Sequence, residues 1–132
     1  MENKKILIID DDVKILNLVD KILTREGYRV VRAADGKEAV QKAIKERPHL
    51  VIADLILPDM NGAEIIQCLK EEGCNVPAIF LTAMISKTEE AADQFGIHTK
   101  DKIYPTLAKP FQETDFLELI RKELKKTQER TS

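Results

Sequence analysis

The chain has 132 residues, 43% of them hydrophobic and 33% charged, and a formal net charge of −2. That length fits one domain, since compact domains cluster near about 100–150 residues, and the balance of apolar and charged residues is that of a folded chain, not a disordered one. Lys and Arg are interspersed with acids, leaving no basic stripe for a nucleic-acid backbone, and no apolar run approaches the roughly 18–20 residues of a membrane span.

In chain order, Ile6-Leu7-Ile8-Ile9 is apolar at every position, the pattern of a strand covered on both faces. The acids Asp10-Asp11-Asp12 follow at once, so the N-terminus reads as neither signal peptide nor anchor. Ile15, Leu18, Val19 and Ile22 have helical spacing, and Gly27 stops that helix. Tyr28 to Arg32 mixes charge into an apolar run, which marks an edge strand. Asp35 and Glu38 are placed as a capping box for a helix carried by Ala39, Val40, Ala43 and Ile44. Leu50 to Ala53 repeats the buried-strand pattern and ends at Asp54; Ile65, Ile66 and Leu69 predict a helix closed by Gly73. Ala78 to Leu81 is a third buried strand, ending at Thr82, and Ser86 to Gly96 is a weaker helical segment. Tyr104 to Ala108 contains Pro105, whose missing N–H suits the other edge, and Lys109 follows it. Thr114 or Gln112 opens a last helix through Leu117, Ile120 and Leu124, so residues 1–126 form the domain and 127–132 a short polar tail with no effector domain after it.

Five alternating β-α units predict an α/β fold: a doubly wound parallel sheet of flavodoxin-like (βα)5 type, strand order 2-1-3-4-5. In such a sheet ligands bind beyond the carboxyl ends of the strands, where the order reverses, here between the first and third strands. Asp10, Asp11 and Asp12, then Asp54, Thr82 and Lys109, all follow strands on that side. Singly, each has an ordinary explanation as a turn residue, a helix cap or a solvated side chain. Jointly they converge on one rim. Carboxylates within ~5 Å of one another repel by roughly 3 kcal/mol per pair at an effective dielectric near 20, so a cation must offset them. Hard oxygen ligands in this number suit Mg²⁺, and with Lys109 as a second positive charge a carboxylate can attack phosphorus.

The chain resembles the response-regulator receiver domains of two-component signalling. The matching pieces are Lys5 to Asp12, Asp54-Leu55-Ile56-Leu57-Pro58-Asp59-Met60-Asn61-Gly62, Leu81-Thr82-Ala83 and Lys109-Pro110-Phe111. The resemblance implies Asp54 as phosphoacceptor, with Asp11, Asp54 and the backbone carbonyl of Ile56 as direct Mg²⁺ ligands and Asp10 as a water-mediated one. It implies Thr82 as the switch hydroxyl, Lys109 as the phosphate partner, a cis Lys109-Pro110 bond, and Asp12 outside the metal's ligand set. It further implies a regulatory phosphoacceptor that catalyses only its own phosphorylation and dephosphorylation. A sensor histidine kinase or histidine phosphotransfer protein would be its donor, and a downstream protein or a phosphorylation-linked homodimer its output. Hydrophobic Ile56 resembles family members with slow self-hydrolysis.

Two departures stand out. The family usually places Tyr or Phe where this chain has Thr106, and Tyr104 is the candidate substitute on the same strand face. Residues 96–103 form a longer link into the fifth strand than is usual. The first helix carries more apolar residues than one inward stripe needs, and the surplus, tested at Leu16, is a candidate docking patch for a donor helix bundle.

Cys68 and Cys74 lack a CxxC or a partnering Cys/His set and read as free reduced thiols in a cytosolic protein. His49 and His98 read as solvated side chains, Met60 and Met84 as packing residues. Two alternatives remain open: a receiver-like binding module that no longer takes phosphate, and a haloacid-dehalogenase-type phosphatase with Asp10 as nucleophile. Neither GxGxxG nor GxxxxGK[ST] occurs, which sets nucleotide enzymes aside.

Overall fold

The structure is a computed structural model that describes residues 4–82 and 104–131, with side chains described to residue 126. Its five strands are β1 (Lys5–Ile9), β2 (Arg29–Ala33), β3 (Leu50–Asp54), β4 (Ala78–Thr82) and β5 (Thr106–Ala108). They pair in parallel in the order β2-β1-β3-β4-β5, as the sequence predicts. The described helices are α1 (Val13–Arg25), α2 (Gly36–Glu46), α3 (Gly62–Glu71) and α4 (Glu113–Thr131). The weak helix expected over 86–96, the 96–103 link, His98 and Met84 lie outside the described residues.

The unbroken apolar strands are explained by two cores, one on each face. Leu7, Ile9, Val51, Ala53 and Phe80 point into a layer with Ala39, Ala43, Ile65 and Leu69 of α2 and α3. Their alternates Ile6, Ile8, Leu50, Ile52, Ile79 and Leu81 meet Leu16, Val19, Ile22 and Leu23 of α1 and Phe116 and Ile120 of α4. With a period of two, each residue along a central strand must be apolar because each face is covered.

Helix ends follow the local chemistry. Asp12 caps α1 by accepting from Lys14 N–H, and Gly27 and Gly73 take the positive φ that α1 and α3 require just beyond their ends. Asp35 does cap α2 through Glu38 N–H, but the Glu38 carboxylate accepts from Ala34 N–H, one residue before the expected partner. A full capping box sits instead at Asn61 and Glu64 of α3. α4 starts just after Gln112, and residues 127–131, expected as a tail, continue it as helix. β5 is shorter than expected because Tyr104 and Pro105 precede it, although Pro105 O still accepts from Phe80 N–H at 2.9 Å.

The surplus apolar face of α1 falls differently from the expectation. Leu16 is 6% exposed and belongs to the core, whereas Val13 at 62% and Leu18 at 48% are the large apolar side chains α1 turns outward. A 3.6-residue period puts Leu16 with Val19 and Leu23, so the docking patch cannot include it.

Candidate functional site

Strand register brings the polar strand ends together. β1 and β3 are adjacent, so Asp10 follows Ile9 beside the Ala53 rung, and Asp54 closes β3 opposite Leu81. Asp10, Asp11 and Asp54 each offer a carboxylate oxygen, and these oxygens lie within 4.8 Å of one another. Asp10 is buried, Asp54 half-buried and Asp11 exposed, so the cluster opens toward solvent on the Asp11 side.

Lys109 reaches in from the far edge. Its N–H donates from Nζ to Asp10 Oδ2 at 2.8 Å and to Asp54 Oδ2 at 3.3 Å. The Lys109 backbone N–H donates to Thr82 O at 2.7 Å, and the Lys109–Pro110 bond is cis. Thr82 is buried at the end of β4, paired with Ala108 and one residue beyond the Asp54–Leu81 rung. Ile56 donates its N–H to Asp54 Oδ1 at 3.2 Å, and its own side chain is exposed.

Burial pushes the Asp54 carboxyl above its ordinary value, overcoming the lowering by Lys109 and the Ile56 amide, while Asp10 raises it further. Burial alone lowers the Lys109 ammonium, yet its bond to Asp10 and the charges of Asp54 and Asp10 outweigh that and hold its pKa up. One lysine thus serves two of three clustered acids. Oxygen-only donors, one of them an exposed acid with no ion pair among the described residues, fit a hard divalent cation such as Mg²⁺.

A family model for the response regulator receiver domain matches residues 6–121. The chain belongs to the response regulator receiver family. This receiver domain is 39% identical over 109 residues to the alkaline phosphatase synthesis transcriptional regulatory protein PhoP of Bacillus subtilis, covering 83% of this chain and 43% of PhoP. It is 35% identical over 129 residues to sporulation initiation phosphotransferase F of the same organism, covering 94% of this chain and 96% of that relative. The chain therefore spans less than half of the first and nearly all of the second.

Among solved structures, a CheY-like receiver domain protein from Methanospirillum hungatei aligns with TM-score 0.81 and 30% identity, covering 98% of this chain and 99% of that one. The receiver domain of a sensor histidine kinase from Pseudomonas aeruginosa aligns with TM-score 0.77 and 27% identity over 93% of this chain and 98% of its own; that structure has a magnesium ion coordinated in its active site cleft. Receiver domains are signalling switches of two-component systems, partnered by histidine kinases or phosphotransfer proteins. Among the described residues, no helix is long and apolar enough to cross a membrane.

The remaining sequence expectations find their places. Asp12 is the helix cap of α1. Met60 packs on the core beside α2, and His49, though exposed, accepts from Lys5 N–H at 2.9 Å through Nδ1. Cys68 and Cys74 are free thiols. Tyr104 is 4% exposed, its ring edge-on to Phe80 at 5.9 Å. It has no exposed position from which to swing inward, so the role of substitute for the aromatic missing at Thr106 gains no support from its geometry. Asp59, part of the matching motif but with no role expected of it, binds the first amides of α2; the Pro58-Asp59 turn is the signal that points to it.

Proposed function

We propose that this chain is a phosphoacceptor switch in which Asp54 takes a phosphoryl group from a phosphohistidine donor in a Mg²⁺-dependent step. The observation that carries the reading is the meeting of Asp10, Asp11 and Asp54 within 4.8 Å beside a lysine that bonds two of them. Asp11, Asp54 and the Ile56 carbonyl would hold Mg²⁺, with Asp10 acting through a water. When bound, the ion would supply positive charge to the phosphoryl oxygens.

Lys109 and the Ile56 amide orient the Asp54 carboxylate, each holding one of its oxygens. An Asp54 oxygen attacks phosphorus as the phosphorus–nitrogen bond to the donor imidazole breaks, and the imidazole departs with that electron pair. Lys109 then faces the added charge, and the Thr82 hydroxyl donates to a phosphoryl oxygen. The new charge of about −1.5 to −2 biases the domain between two states, and hydrolysis resets it. No other reaction is catalysed. The dehalogenase-type alternative, with Asp10 as nucleophile, is less favoured because Asp10 is buried while Asp54 is only half-buried and so more open to an incoming phosphorus.

The donor is a sensor kinase or phosphotransfer protein in the cytoplasm, met on the outward side of α1 by Val13 and Leu18. Output runs through a downstream protein or a homodimer, with no direct contact to nucleic acid or membrane. Incubation with a small phosphodonor and Mg²⁺, followed by intact mass measurement, should show one added phosphoryl group that Asp54→Asn removes. An unmodified wild-type mass would instead favour a binding module that no longer takes phosphate, as the Thr106 departure allows.

A further inference from the structure

We infer that Asp59 is a positioning residue for the metal site, clamping the β3–α3 loop onto the first turn of α2 and so fixing the backbone at Ile56. The inference rests on the Mg²⁺ reading above and adds to it a residue outside the acidic cluster. Residues 55–61 connect β3 to α3 and carry Ile56, which bonds Asp54. The loop closes on itself through the Ile56–Asn61 bridge, Leu57 N–H to Met60 O at 3.0 Å, and Gly62 N–H to Leu55 O at 2.9 Å.

Its tip is tied to a different element. Asp59 Oδ1 accepts from Gly36 N–H at 2.8 Å and Oδ2 from Lys37 N–H at 3.0 Å. Those first-turn amides have no partner within their own helix, and a carboxylate there also meets the positive end of the helix dipole. The two bonds hold the Asp59 carboxyl below its ordinary value. Using both oxygens at once fixes the orientation of the carboxylate as well as its distance. Met60 crowds the same contact: a Cβ on Gly36 would lie 2.8 Å from Met60 Cβ, an atom next to the backbone and unable to swing aside, so the close approach favours glycine.

The anchor is rigid, since Ala39 and Ala43 bury α2 against the sheet. Mg²⁺ demands near-ideal octahedral geometry, so a carbonyl ligand on a loop that holds its own shape but can shift as a unit at its tip binds it less well. Asp59 therefore acts on the ion through the backbone it holds, without touching the ion.

The test compares Mg²⁺ titrations, by calorimetry and by amide NMR, of wild type, Asp59→Ala, Asp59→Asn and Asp35→Ala. Asp35 caps the same helix through Glu38 N–H and serves as a control for helix stability. Asp59→Ala should weaken Mg²⁺ binding about tenfold, the size typical for losing a group that orients a ligand. Asp59→Asn keeps one acceptor oxygen and should fall between it and wild type. Asp35→Ala should bind as wild type does. In wild type, Mg²⁺ should shift the Gly36 and Lys37 amide resonances, and in Asp59→Ala that response should vanish. Wild-type affinity in Asp59→Ala, or an equal loss in Asp35→Ala, overturns the inference. A wild-type protein that ignores Mg²⁺ sinks the parent reading together with it, a result distinct from either.

Discussion

Replacing Lys109 by Met keeps the side-chain stem and removes the charge that two acids share. Nζ lies 2.8 Å from Asp10 and 3.3 Å from Asp54, which at an effective dielectric near 20 corresponds to gross attractions of about 6 and 5 kcal/mol. Most of that is offset by desolvation of the three groups, so the pair itself adds little net stability. Removing one partner is different, because Asp10 stays buried with no cation beside it. Breaking a buried pair this way costs about 3–5 kcal/mol, and the partial exposure of Asp54 puts the expected loss near the lower end, at about 3 kcal/mol.

Urea unfolding in the presence of a chelator measures that loss, and its pH dependence identifies the cause. Without the ammonium, the folded-state pKa of Asp54, already above its ordinary value, rises further because the lowering by Lys109 is lost. A group whose folded pKa is raised contributes stability that is present below its unfolded value and is lost as pH rises through the folded one. The deficit of Lys109→Met should therefore be small near pH 3–4, about the unfolded carboxylate range, and widen toward neutrality. Saturating Mg²⁺ should return part of it, since a bound dication restores charge to the folded state alone. A deficit that does not change with pH, or one below about 1 kcal/mol as for a surface ion pair, refutes the reasoning.

Asp54→Asn should raise stability at neutral pH without Mg²⁺, because burial raises the Asp54 pKa and its ionised form is the one the folded state disfavours. By the same linkage sign, melting curves of variant and wild type should converge as pH falls below the unfolded carboxylate value; a less stable variant at pH 7 contradicts this. Gly62→Ala places a Cβ 2.5 Å from Phe80 Cε1, so urea denaturation should report about 1–3 kcal/mol of overpacking, and an unchanged midpoint would deny the close contact. Leu18→Glu should leave the melting temperature nearly unchanged while slowing phosphotransfer from a cognate donor, whereas Leu16→Glu should unfold the domain; stable Leu16→Glu protein would contradict the burial of that side chain.

The first helix shows where legibility stops. Its apolar spacing was plain from Ile15 to Leu23, yet which of Leu16 and Leu18 faces the sheet depends on a rotation of the helix about its axis. That rotation is set by the side chains of β1 and α4 that it meets. The same holds at Asp35, where Glu38 was placed near the helix start, but its carboxylate accepts from Ala34 N–H, a choice set by the path of the entering backbone. Tyr104 shared a strand face with Thr106 by period alone, and only its contact with Phe80 shows that its ring is already inside.

By itself the sequence determined that three strands lie covered on both faces, that charge and Pro105 put the second and fifth at the edges, and that four strands end in polar groups on one rim. These are local properties, written in runs of adjacent residues, and parallel topology then follows from alternation and chain handedness. Tertiary structure alone decided that Lys109, remote in sequence, bonds both Asp10 and Asp54, and that Asp59 joins one loop to the start of a different helix. Such contacts depend on how far side chains reach across the packed sheet, a distance that no spacing along the chain encodes.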